Sequence, residues 1–218
     1  MSRQVKVWDL PTRMFHWGLA CLCVLGWVSF KFGDAGMVWH RWNGYAVLTL
    51  VLFRVLWGLV GSDTARFMRF VAGPVATARY LIGLVERRHQ PVVGHNPAGG
   101  WMVVALIGGL LVLAACGLFA TDDIMVEGPL AHAASSAQVK LATKIHKSLY
   151  WVLAAMVGLH VAAVIFHRVV LGEKLVGAMI TGTAEIEGAD APRLAPIWLA
   201  AACAAIAAGS LALVLVLV

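Results

Sequence analysis

Residues 146–160 read HKSLYWVLAAMVGLH, an apolar run bracketed by His146 and His160. Fourteen residues of α-helix climb ~21 Å and turn almost four full times. Both imidazoles therefore face the same way, one near each side of a ~30 Å hydrocarbon layer. The surrounding sequence extends this apolar run from about Thr143 to His167, which is enough to cross such a layer. The spacing predicts a membrane helix that presents two stacked imidazoles on one face.

Working outward, the rest of the chain has the composition of an integral membrane protein. It is 61% hydrophobic and 13% charged, against roughly 45–50% and 25% in soluble domains. The formal charge of +6 sits mainly in the connections, so it reads as membrane orientation rather than nucleic-acid binding. Further spans are expected at about Met14–Phe32, Val38–Val60, Gly100–Ala120 and Pro196–Val218. The basic start of the chain resembles a signal peptide, but no convincing small-residue cleavage site follows, so it reads as a retained first span. Cys21, Cys23, Cys116 and Cys203 all fall in apolar segments, in the role of small buried residues, and no CxxCH motif is present.

The loops set the expected orientation. Arg3, Lys6 and Arg13 share one side with Arg66, Arg69, Arg79, Arg87, Arg88, Arg168, Lys174 and Arg193. The other side holds Lys31, Arg41, Lys140, Lys144 and Lys147, with the acidic Asp122, Asp123 and Glu127. By the positive-inside rule the N-terminus is cytoplasmic and, after five spans, the C-terminus is periplasmic. In the long cytoplasmic loop Pro74 opens either a short surface helix reaching Arg88 or a solvated basic segment. Residues 183–195, with Glu185, Glu187 and Asp190, read as a linker into the fifth span.

Two more histidines lie at span ends. His16 is near the cytoplasmic start of the first span and His40 at the outer start of the second. Depth permits His16 with His160 and His40 with His146, and it forbids the cross-pairing. Two such pairs, one above the other, suit two haems, each held by two imidazoles with no open position, an arrangement for electron transfer. His167, seven residues beyond His160, is the reserve ligand, while His89, His95 and His132 are in loops and expected to be solvated. Arg54 lies fourteen residues after His40, at the depth of the inner pair. A cation there either meets a haem propionate or snorkels to the nearby interface. At the outer side Arg41, Lys144 and Lys147 flank the ligands, placed to neutralise propionates.

These residues fall in a set of motifs: VWDLPTRMFHW (residues 7–17), WHRWNGY (39–45), FRVLWGLVG (53–61), GHNPAGGWM (94–102) and HKSLYWVLAAMVGLH (146–160). Together they resemble the bacterial di-haem b-type cytochromes. That group includes the cytochrome b subunit of nickel–iron hydrogenases, the gamma subunit of formate dehydrogenase and bacterial cytochrome b561. The resemblance spans roughly residues 5 to 182. It implies an all-α transmembrane four-helix bundle over residues 1–182 holding two non-covalent b haems, with the pairing that depth permits. Residues 196–218 are then an additional transmembrane helix, free to bind a partner, a second copy of the chain in a homo-oligomer, or nothing.

The resemblance also implies electron transfer in the bacterial inner membrane between a periplasmic partner and the quinone pool. The partner would be a c-type cytochrome or a dehydrogenase or hydrogenase subunit. Quinone would bind near the cytoplasmic haem, at Asn96, Gly99 and Gly100 with His95 adjacent; the same residues also suit a tight turn. An alternative is a stand-alone quinone-linked oxidoreductase acting on a small periplasmic substrate such as superoxide. A non-redox metal transporter would need polar side chains within the spans, and the third and fifth spans carry no charged ones.

Overall fold

The computed structural model describes residues 3–86, 88, 92–122, 126–186 and 190–217; Arg87, His89, Asp123 and Glu187 lie outside the described residues. Among the described residues, five helices are long and apolar enough to cross a membrane. They are α1 (Leu10–Phe30), α2 (Gly33–Val60), α5 (Pro97–Gly117), α6 (Ser136–Val169) and α8 (Ile197–Leu217). Three shorter helices, α3 (Phe67–Phe70), α4 (Pro74–Val85) and α7 (Leu175–Thr181), join two short strands, β1 (Arg3–Lys6) and β2 (Thr183–Ile186).

Local chemistry sets where the spans begin. Asp9 caps α1 by accepting the Thr12 amide at 2.6 Å, and Asn96 caps α5 by accepting the Gly99 amide at 2.7 Å. Each cap is followed by a proline in the first turn, where the missing N–H costs nothing. Helix α6 starts well before the apolar run because Ser135 and Gln138 form a capping box. Its 34 residues make it ~51 Å long, so it projects beyond a ~30 Å hydrocarbon layer. The short surface helix after Pro74 is present as α4, ending at Val85 rather than Arg88.

Helix α2 is central, packing against α1, α5 and α8, and α5 packs in turn against α6. Gly58 lies against the Phe67 ring and Gly109 against Leu153, contacts that a side chain at either glycine would block. Ala200, Cys203 and Ala207 of α8 form a buried cluster with Phe53 and Trp57 of α2 and Phe15 of α1. Such small residues let helices approach closely where burial from water is not the driving force. Of the cysteines only Cys203 is buried; Cys23 and Cys116 are half-buried, and Cys21 is on the exposed side of α1, so its expected burial fails. Trp27, Trp42, Trp151 and Trp198 also face outward, as a lipid-facing surface allows.

The short elements gather at one end of the bundle. β1 pairs antiparallel with β2, from Arg3 opposite Ile186 to Lys6 opposite Thr183, so the expected linker begins as a strand. Gly182 makes this return possible. Its carbonyl accepts the Val7 and Trp8 amides, its φ is +84°, and a Cβ there would lie 2.9 Å from the Trp8 carbonyl oxygen. Thr64 donates to the Val7 carbonyl, and the Ala195 amide donates to Ser62, fixing the start of α8 at the same end. The 21 residues of α8 then carry the chain ~31 Å along α2 to the opposite end.

Candidate functional site

The four histidines form two cross-helix pairs. His16 of α1 and His160 of α6 have ring centres 6.4 Å apart, and His40 of α2 and His146 of α6 have centres 6.1 Å apart. A metal bonded at ~2 Å to one nitrogen of each of two opposed imidazoles holds their centres roughly 6.3 Å apart. Among the described residues no group of three or more His, Cys, Asp or Glu side chains could hold a bare metal ion. Two imidazoles alone would leave an iron short of ligands, a need that a haem held between them would meet.

The outer pair is oriented by backbone carbonyls. His40 Nδ1 lies 3.0 Å from the Gly26 carbonyl and 3.3 Å from Ser29 Oγ, and His146 Nδ1 lies 2.8 Å from the Leu113 carbonyl. A proton on each Nδ1 satisfies these carbonyls and leaves Nε2 with its lone pair free for a metal. Gly117, one turn beyond Leu113, completes the seat: a Cβ there would lie 3.0 Å from Cε1 of His146. Gly26, Ser29 and Leu113 are absent from the sequence reading.

At the inner pair His16 Nδ1 is buried without a partner. Arg54 is 2% exposed, so it does not snorkel to water. Its guanidinium carbon is 4.9 Å from the Phe67 ring centre, with Phe70 at 5.9 Å and Phe15 at 6.0 Å. Both terminal nitrogens of Arg54 are buried with no hydrogen-bond partner. Asp9 attracts the guanidinium at longer range, but its own oxygens accept from Thr12 and from the Trp57 indole. A buried guanidinium with two idle donors fits an acid side chain of a bound haem.

His95 is not the solvated loop residue expected. Its ring packs 4.4 Å from Phe70 and 4.8 Å from Trp8, and its Nδ1 is buried and unpartnered. Burial, with the Arg54 guanidinium adding to it, lowers the imidazole pKa to about 3. His95 also interacts electrostatically with His16 and His160, so it borders the inner pair. An open cleft of about 330 Å³, lined by Asp63, Thr64, Arg69 and His95, leads to it. Asp63 is held below the usual carboxylate range by the Arg193 amide and by Arg69 and Arg66.

Asn96 serves as the cap of α5, as the turn reading anticipated, and also hydrogen-bonds Tyr80 of α4. Burial and the Glu173 carboxylate raise the Tyr80 pKa. His167, the reserve ligand, is instead turned to Glu173, with Nδ1 2.8 Å from a carboxylate oxygen. His132 is exposed on a short 3-10 turn. At the outer end Lys140, Lys144 and Lys147 line a cleft of about 320 Å³ with Thr121, Thr143 and Ser148.

No curated protein matches the chain. The family pattern described as prokaryotic cytochrome b561 matches residues 7–182, a stretch that contains both histidine pairs and Arg54 and stops short of α8. Together with the five apolar helices, this match establishes that the chain belongs to the prokaryotic cytochrome b561 family, a multi-pass membrane protein of transmembrane electron transfer through b-type haem.

Proposed function

We propose that the chain holds two b haems, one between His16 and His160 and one between His40 and His146. On this reading it conducts electrons between a periplasmic redox partner and the membrane quinone pool. The observation that carries it is the pair of cross-helix imidazole couples at 6.4 and 6.1 Å. Haem iron held by two imidazoles supplies one-electron transfer with no open position for oxygen. The Gly26 and Leu113 carbonyls orient the outer ligands. Phe15, Phe67 and Phe70 keep water from Arg54 beside the inner ones.

Orientation follows the basic loops: the end bearing β1, α4 and α7 is cytoplasmic, and the end where α8 finishes is periplasmic. Quinone is assigned to the cytoplasmic end, near Asn96 and His95. The electrostatic coupling of His95 to the inner pair supports this location, as do the polar groups of Tyr80 and Asn96 beside apolar α4. The periplasmic partner, a c-type cytochrome or a dehydrogenase or hydrogenase subunit, meets the projecting start of α6. The exposed lysines there favour a partner that brings negative charge.

A pyridine haemochrome assay on the purified chain tests the core of the proposal, with about two non-covalent haems expected. His40→Ala or His146→Ala removes one spectral component, and His16→Ala or His160→Ala removes the other. A single haem under full haem supply refutes the proposal, and so does loss of the same component from His16→Ala and His146→Ala.

A further inference from the structure

Four polar side chains meet at the end of the bundle that carries α4 and α7: His167 and Glu173 after it, Tyr80 of α4 and Asn96 at the start of α5. Glu173, in the turn between α6 and α7, folds back on the end of α6. Its amide donates to the His167 carbonyl at 3.0 Å, and its carboxylate lies 2.8 Å from His167 Nδ1. His167 is buried, whereas the Glu173 side chain is 19% exposed, so a proton can pass between the pair and water. Burial, with the Glu173 carboxylate nearby, keeps the Tyr80 hydroxyl protonated. Asn96 completes the group. Its Oδ1 accepts the Gly99 amide, so its amide nitrogen is the donor to Tyr80. Tyr80 therefore receives a hydrogen bond from Asn96 and keeps its own O–H for another acceptor. Helix capping accounts for Oδ1 of Asn96 but not for this second contact.

We propose that Tyr80 hands a proton to the oxygen of a quinone bound beside Asn96, and that Glu173, in exchange with His167 and cytoplasmic water, replaces it. The proposal rests on the quinone reading of this end and names the groups that complete its chemistry. Reduction of a quinone to a quinol takes two electrons and two protons. The electrons arrive one at a time through the inner haem, whose ligand His160 lies about two turns before His167 on α6. Each proton leaves the Tyr80 O–H for a quinone oxygen as a proton from Glu173 restores the hydroxyl, and Glu173 is reprotonated from water. The quinol leaves into the lipid, and the reverse sequence serves quinol oxidation. A tyrosine hydroxyl suits this relay because it accepts one hydrogen bond while donating another. The alternative is that these contacts only close the end of α6 and seat α4, and the test separates the two.

The full chain, loaded with haem and reduced, is mixed with a short-chain quinone or with ferricyanide, and haem reoxidation is followed by absorbance. Ferricyanide takes an electron without a proton. With quinone, Tyr80→Phe should slow reoxidation about 100-fold and Glu173→Gln about 10-fold or more, while Glu173→Asp should restore part of the rate. With ferricyanide every variant should match the unaltered chain. Binding of the same quinone to the oxidised chain is read without turnover from tryptophan fluorescence. It should weaken about 3- to 10-fold in Tyr80→Phe and stay the same in Glu173→Gln. A normal quinone rate in either variant, or unweakened quinone binding in Tyr80→Phe, overturns the proposal. Equal slowing with both oxidants reveals a structural role and overturns it as well. Tyr80→Phe keeps the ring on a short surface helix, so misfolding of Glu173→Gln does not remove the test. Failure of quinone to reoxidise the unaltered chain refutes the quinone reading itself.

Discussion

Adding one methyl group at Gly117 should weaken the outer haem without weakening the fold. A Cβ at this position would lie 3.0 Å from Cε1 of His146 and 3.2 Å from Nδ1. Carbon atoms prefer ~3.5–4.0 Å, so in Gly117→Ala the ring must retreat by roughly 0.5–1 Å. That motion stretches the 2.8 Å contact to the Leu113 carbonyl past the ~3.2 Å limit of a good hydrogen bond. It also exceeds the ~0.2 Å tolerance of a metal–ligand bond. Losing an orienting partner of a metal-bound histidine costs about 10- to 100-fold in affinity. Opposing this, Ala in place of Gly stabilises a helix by ~1 kcal/mol, so thermal unfolding of the haem-free protein should change little. Haem titration of Gly117→Ala in a His16→Ala background reads the outer site alone. Gly108→Ala in the same helix, where no atom lies within 4 Å, is the control and should bind haem normally. Unchanged outer-haem affinity in Gly117→Ala would show that Gly117 and Leu113 do not seat the ligand.

Three further outcomes are expected. Because the folded His95 pKa, about 3, lies below its free value of 6.5, the ring does not affect stability above pH 6.5. As pH falls through 6.5 the unfolded chain takes a proton that the fold refuses, so stability drops toward pH 3. Thermal unfolding of the haem-free protein should show this loss, and His95→Gln should lessen it; an identical pH profile for both would contradict the burial argument. Asn96→Ala should slow haem oxidation by quinone and also cost ~1 kcal/mol as a lost cap. Asn96→Ser keeps a capping oxygen while removing the amide that meets Tyr80, so normal quinone kinetics in Asn96→Ser would limit Asn96 to capping. A reporter active only in the periplasm, fused after the last residue, should work; activity of a cytoplasm-only reporter there would reverse the assigned orientation.

Hydropathy alone was enough to locate the five spans. Transfer into an apolar layer is nearly additive along the chain, so hydropathy and a rise of ~1.5 Å per residue suffice. The same arithmetic put Arg54 level with His160. Hydropathy marked where the apolar run of α6 stops but not where its helix starts, since Ser135 and Gln138 continue it outside the apolar run. The pairing of β1 with β2, about 180 residues away in sequence, is visible only in the folded chain, because strands of four residues carry no local signal of their partner. Tertiary packing also covered the ring of His95, a loop residue expected to be solvated, since the rings that pack on it, Trp8 and Phe70, come from distant segments. Likewise the Leu113 carbonyl and the bare Cα of Gly117 matter only because α6 brings His146 against them. Burial, orientation and hydrogen-bond partners are properties of pairs of segments, and their pairing is set by packing that no single segment encodes.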